Sequence, residues 1–150
     1  MRYFLLKSGF ILKVFSGIIF LLGTITVSYS QERKMVEILR AGTLEANEQI
    51  ASNAQRLIDS VMIRHKNMLM WCDSAYTYTG TNRVDAFGNV HINQDDTLHL
   101  YANTVFYDGD ISFARAWGNV RLIKKSTTIY TDPLDYDLAA NIGYYDDKGK

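Results

Sequence analysis

Three histidines, one cysteine and two pairs of adjacent carboxylates have the greatest chemical reach in this 150-residue chain. His65, His91 and His99 fall in separate alternating segments. None has a paired cysteine or an i, i+2 histidine beside it, so solvent-facing histidines are expected rather than metal ligands. His91 and His99 moreover share the more polar parity of their segments. Asp95-Asp96 and Asp146-Asp147 are neighbours in sequence, and neighbours in an extended chain point to opposite faces, which makes them poor acid/base pairs. Cys72 stands alone, so no intramolecular disulfide is available and the residue is expected as a small buried apolar group, not a reactive thiol. No nucleophile elbow, phosphate loop or cysteine-nucleophile pattern occurs. The residues therefore point away from an enzyme and call for no metal or cofactor.

The elements that carry these residues repeat. Ala86-Phe87-Gly88-Asn89-Val90-His91-Ile92 returns as Ala116-Trp117-Gly118-Asn119-Val120-Arg121-Leu122, 30 residues on. A second phrase recurs as Ala41-Gly42-Thr43-Leu44, Cys72-Asp73-Ser74-Ala75, Ala102-Asn103-Thr104-Val105 and Thr131-Asp132-Pro133-Leu134, at spacings of 31, 30 and 29 residues. Its form is a small residue, then usually Asp or Asn, then usually Thr or Ser, then an apolar one. Asp and Asn bond backbone two residues on and favour a bend at a strand end, and Pro133 suits a bend or an edge. A repeat of this length indicates stacked supersecondary units, none able to bury its apolar face alone.

Within the repeats, apolar residues alternate. Met68, Met70, Cys72, Leu98, Leu100 and Ala102 share one parity; Leu69, Trp71, His99 and Tyr101 share the other. Period two with Val, Ile, Thr and Tyr means strands, and Thr79-Gly80-Thr81-Asn82, Asp108-Gly109-Asp110 and Gln94-Asp95-Asp96 are turns between them. Ala86, Gly88, Val90 and Ile92 face one way, a progression from tiny to branched residues. Gly88 and Gly118 mark either a bend or a taper that leaves room for an apolar ligand. Residues 44–62 carry helix-like spacings, but the repeat aligns Val61-Met62-Ile63 with Val90-His91-Ile92. This favours a loop at 47–53 followed by a strand at 57–64. The result is an all-β, repeat-built domain.

Ten Tyr, seven Phe and two Trp enrich the chain. Tyr76, Tyr78, Tyr101, Tyr107, Tyr130, Tyr136, Tyr144 and Tyr145 recur near strand ends, as cross-strand aromatic pairs on a sheet surface do; a sugar-binding platform is the other reading. The N-terminus differs from the rest. Basic Arg2, Lys7 and Lys13 precede an apolar run from Val14 to Val27, and small Ser28 and Ser30 suit cleavage before Gln31, so residues 1–30 read as a secretory signal peptide and 31–150 as the domain. Cleavage would remove three of sixteen basic residues and none of sixteen acidic ones, leaving a net charge of −3 with no basic cluster, which argues against nucleic acid as a partner.

The ordered phrases Val36-Glu37-Ile38-Leu39, Ala54-Gln55-Arg56-Leu57-Ile58, Met70-Trp71-Cys72-Asp73-Ser74-Ala75, Asp85–Ile92, Asp96–Tyr101 and Gly118–Leu122 resemble the OstA-like (organic solvent tolerance A-like) family, related to the periplasmic lipopolysaccharide transport protein LptA. The resemblance spans about Met35 to Tyr145. It implies an open β-jellyroll, or β-taco, of two facing antiparallel sheets. It further implies a periplasmic protein that shields lipopolysaccharide acyl chains in an apolar groove during transport to, or assembly of, the outer membrane. Self or homologous domains would join it by end-to-end strand pairing. Under this resemblance the groove is lined by inward residues such as Val90, Ile92, Leu98, Leu100, Ala102, Val120, Leu122 and Ile129. The competing reading is a structural β-repeat scaffold acting through its edges. The last repeat runs to Lys150 without a capping segment, whereas family members generally continue further, so a truncated or shortened domain is expected.

Overall fold

A computed structural model describes residues 34–46 and 53–145. The expected signal peptide at 1–30, most of the expected 47–53 loop and Asp146-Asp147 lie outside the described residues. Eleven strands follow in order: β1 (Glu37–Arg40), β2 (Thr43–Ala46), β3 (Ala54–His65), β4 (Met68–Tyr78), β5 (Arg83–Gln94), β6 (Leu98–Asp108), β7 (Phe113–Trp117), β8 (Val120–Lys124), β9 (Thr127–Thr131), β10 (Leu134–Asp137) and β11 (Ile142–Tyr144). Every pairing among them is antiparallel, and all belong to one hydrogen-bonded sheet. No helix occurs among the described residues. The helix-like spacing over 44–62 is overridden by pairing: Leu57 lies opposite Ala75 and Val61 opposite Cys72 in β4.

The sheet is folded over along the line of corners that the repeat marks. In β3, Asp59 and Ser60 have φ of 67° and 52°; in β5, Gly88 and Asn89 have 74° and 46°; between β7 and β8, Gly118 and Asn119 have 75° and 54°. These left-handed conformations favour Gly, Asn and Asp, the types the repeat supplies at two of the three corners. Each pair faces a single residue on the neighbouring strand: the β3–β4 and β4–β5 ladders both jump at Asp73, and the β5–β6 ladder jumps at Asn103. Two residues against one bend the ladder. On the two-residue side the alternation of side chains survives, and Ala86 and Val90 both stay inward; on the one-residue side it shifts by one, so Cys72 and Ala75, and likewise Ala102 and Val105, both face inward.

The corner phrase supplies the partners. Gly42 N donates to Ile58 O and Asp59 O at 3.0 and 2.9 Å, Asn103 N donates to Gly118 O at 2.8 Å, and Gly118 N donates to both carboxylate oxygens of Asp132 at 3.1 Å. Asn89 Nδ2 donates to Asp73 Oδ2 at 2.9 Å. A Cβ on Gly88 would strike the Asp73 carboxylate, and one on Gly118 the Asn103 amide. The glycines are bends where a neighbouring side chain comes close. That is the first of the two readings offered by the sequence.

Two layers result. One runs β1, residues 61–65 of β3, 68–72 of β4, 90–94 of β5 and 98–102 of β6, then β8 and β9; the other runs β2, the remaining halves of β3 to β6, then β7, β10 and β11. Across the first layer, Ile63, Met70, Ile92, Leu100 and Leu122 are successive cross-strand neighbours, all buried. Across the second, the matching row is Leu57, Ala75, Ala86, Val105, Ala116 and Leu134. Large residues on one wall meet mostly small ones on the other, which lets the two layers close on a single core.

Candidate functional site

The interior between the layers is the place where this fold could hold something, and the inward parity expected from the sequence is what lines it. Val90, Ile92, Leu98, Leu100, Ala102, Val120 and Leu122 all point between the sheets and are at most 6% exposed, packed in one cluster. Ile129, on the edge strand β9, is only partly buried against that cluster. With Leu122, Leu134 and Tyr136 it borders a cavity of about 410 Å³ rimmed by Lys124 and Lys125. The opposite parity stacks on the outer face. Trp71 lies on His91 with centroids 5.0 Å apart, His91 on Tyr101 at 4.3 Å, and the Arg121 guanidinium sits 4.4 Å from the Tyr101 ring centre. In that stack the ring faces are spent on one another, a cross-strand ladder of the kind expected. His91 Nε2 and His99 Nδ1 share a hydrogen bond at 3.2 Å. Burial, with His99 and Arg121 beside it, holds His91 below the ordinary histidine range. Among the described residues no three metal-ligating side chains converge.

Opposite the fold line the two layers are joined by side chains instead of strand pairing. This seam begins at a strap, Lys34 to Val36. Lys34 O accepts from His65 Nε2–H at 2.9 Å and from Asn82 Nδ2 at 3.1 Å, while Val36 N donates to Asn82 Oδ1 at 2.9 Å. The seam continues with Lys66 Nζ donating to Ser112 Oγ at 2.9 Å, Gln94 Nε2 to Leu138 O at 3.1 Å and Lys124 Nζ to Asn141 O at 3.0 Å. In the last three the donor sits at the end of a first-layer strand or in the turn next to it, and the acceptor follows a second-layer strand.

His65 is the centre of the first tie and corrects the sequence expectation, because it is buried at 1% exposure and does not face solvent. Lys34 O is only an acceptor, so Nε2 carries the proton; Nδ1 then accepts, and the Tyr107 hydroxyl donates to it at 2.7 Å. Ser112 is in hydrogen-bonding reach of Tyr107, which links this tie to Lys66. Burial, reinforced by Lys66 and Lys34, lowers the His65 pKa; the bond to Lys34 O and the nearby Asp110 oppose this. Burial also pushes the Tyr107 hydroxyl up to about 12, so it remains a donor. Tyr107 and Tyr136, expected among surface pairs, are 3% and 1% exposed and belong to the core. Parity carried the signal for His65, which continues Val61 and Ile63, and for Tyr136, which continues Leu134. Tyr107 continues Val105, but the inward face shifts by one at Asn103, so the parity of Leu98, Leu100 and Ala102 places it outside. Cys72 is buried as expected, its thiol raised to about 11 chiefly by desolvation.

The sequence matches the OstA-like protein family over residues 33–150. The chain belongs to that family. This OstA-like chain is similar in structure to LptH from Pseudomonas aeruginosa, described as the LptA-homologous periplasmic component of the conserved lipopolysaccharide transport device. The TM-score is 0.66 at 13% identity, over 75% of this chain and 82% of that one. At that identity the likeness is one of fold. None of the curated proteins matches the chain.

Proposed function

We propose that this OstA-like chain is a non-catalytic, periplasmic lipid-binding protein that takes part in lipopolysaccharide transport and shields acyl chains between its two layers. One observation carries the reading: a continuous apolar interior is closed on one side by backbone ladders bent at the corners, and on the other by side-chain bonds alone. An entering acyl chain exchanges wall-to-wall contact for wall-to-lipid contact, which is close to neutral. The net gain is the lipid's own removal from water, about 0.8 kcal/mol per methylene, so roughly 8 kcal/mol for ten. Parting the seam breaks a handful of hydrogen bonds worth about 1 kcal/mol each, which is the smaller quantity. Family membership and the likeness to LptH support the same assignment. Residues 1–30 would act as the export signal.

The outer strands offer the joint to neighbouring domains. β1 and β2 are single-sided edges at one end, with Ile38, Leu39 and Leu44 exposed; β9 and β11 are edges at the other, with Tyr130, Ile142 and Tyr144 exposed. A scaffold acting only through these edges is the second reading, and the tight packing of the interior favours it. Photo-crosslinkers placed at Val90 and Leu100, compared with His91 and Tyr101, separate the two. Lipid adducts are expected from the first pair only. Equal labelling from both parities overturns the groove assignment, and delipidated protein that takes up no acyl-chain fluorophore gives the scaffold reading its support.

A further inference from the structure

Between the second and third ties of the seam lies a polar cavity of about 310 Å³. It sits where four turns meet, and Met68 and Leu138 carry its wall down to the core. Gln94 lines it. The Gln94 amide is oriented by its Nε2 bond to Leu138 O, and its Oε1 is buried without any hydrogen-bond partner among the described residues. A buried acceptor left unpaired costs about 1–3 kcal/mol, so it marks a place where a donor belongs. Beside it stand Asp95, whose carboxylate accepts from Asn67 Nδ2 at 2.5 Å, and Asn141.

We propose that this cavity is a seat for one sugar ring of a glycolipid whose acyl chain lies between the layers. The proposal rests on the lipid-binding reading above and adds the chemistry of the head group. Amide and carboxylate oxygens take hydroxyl protons, while amide N–H groups give protons to hydroxyl oxygens; this mixed set is what a ring bearing several hydroxyls requires. A phosphate is disfavoured, because the Asp95 carboxylate faces the same space. The volume lies at the lower end of the range for small-ligand pockets, about 300–1,000 Å³, suited to a single ring. The seat opens on the seam, so a sugar held there leaves its acyl chain pointing past Met68 into the interior.

The test uses two neutral probes of equal chain length, an N-acyl glucosamine and the matching N-acyl ethanolamine, titrated into the full chain. The wild type is expected to prefer the sugar probe about tenfold, and Gln94→Leu and Asn67→Ala are each expected to remove most of that preference. Asn67→Ala leaves ethanolamide affinity unchanged, whereas Gln94→Leu, which loses a seam tie, is read on the ratio of the two probes. Asn67 is on an exposed turn, so its variant reports on the seat even if Gln94→Leu loosens the seam. A wild type that binds both probes equally overturns the sugar seat alone. Parallel loss of both probes in both variants also overturns it. Binding of neither probe by the wild type overturns the lipid-binding reading and the seat together.

Discussion

Replacing His65 by Phe keeps a ring of similar size at the first tie of the seam and deletes both of its hydrogen bonds, at 2.7 Å to Tyr107 and 2.9 Å to Lys34 O. Each is worth about 1 kcal/mol, and the groups left behind are not wholly orphaned, since Lys34 O still accepts from Asn82 and Tyr107 still has Ser112 in reach. The expected loss is about 2–3 kcal/mol at pH 7.5, a fall of roughly 1–2 M in the urea midpoint for a domain of this size. The pH dependence makes the reasoning specific. His65 is held below its ordinary pKa of 6.5 in the fold, so its contribution is complete above pH 6.5 and is lost as pH falls through the lower folded value. The Phe variant has no such loss. His91, also lowered, titrates in both proteins and cancels in the difference. Urea unfolding of the full chain, followed at pH 7.5 and 5.0, should therefore show a gap between wild type and variant that narrows on acidification. A gap of the same size at both pH values refutes the account of a neutral, Nε2-protonated His65 closing the seam.

Gly88→Ala should destabilise by more than the roughly 1–2 kcal/mol of a left-handed alanine, because the new Cβ meets the Asp73 carboxylate. Asp73→Ala in the same chain should recover the steric part, and urea curves of the four proteins in a double-mutant cycle check this, with strict additivity as the contrary result. Cys72, buried with its thiol near 11, should not react with Ellman's reagent at pH 8 in the native protein and should react fully in urea.

The corners and the inward faces were readable before any coordinates because they are local. Asp, Asn and Gly at 29–31-residue spacing name the bends, and period two names the faces on either side. Parity is kept across the corners of β3 and β5, where two residues are inserted, and shifts by one at Asp73 and Asn103 in β4 and β6, which the repeat length alone does not reveal. The seam was not legible. Its partners come from turns 17 to 48 residues apart, and nothing in Lys66, Ser112, Gln94 or Lys124 distinguishes a tie from a solvated turn residue. His65 lies between these cases: its parity placed it inside, but its type suggested the surface. The edge strand β2 was half legible, since the sequence marks Thr43 and Leu44 as a corner but does not reveal their pairing with Ile58 and Leu57.

The corner has a consequence for size. Every passage of the chain across the fold line lays one rung in each wall at the same moment, so the two walls grow together, and among the described residues β11 alone adds to one wall without the other. The gauge of the trough is fixed by the widths of side chains such as Leu100 and Ala86, whereas its length is a copy number. A further repeat of 29–31 residues, which crosses the fold line twice, would extend it by two rungs on each side without disturbing any rung already laid. In a protein of this construction, the length of the stack and the spacing between its walls are independent quantities, open to change one at a time.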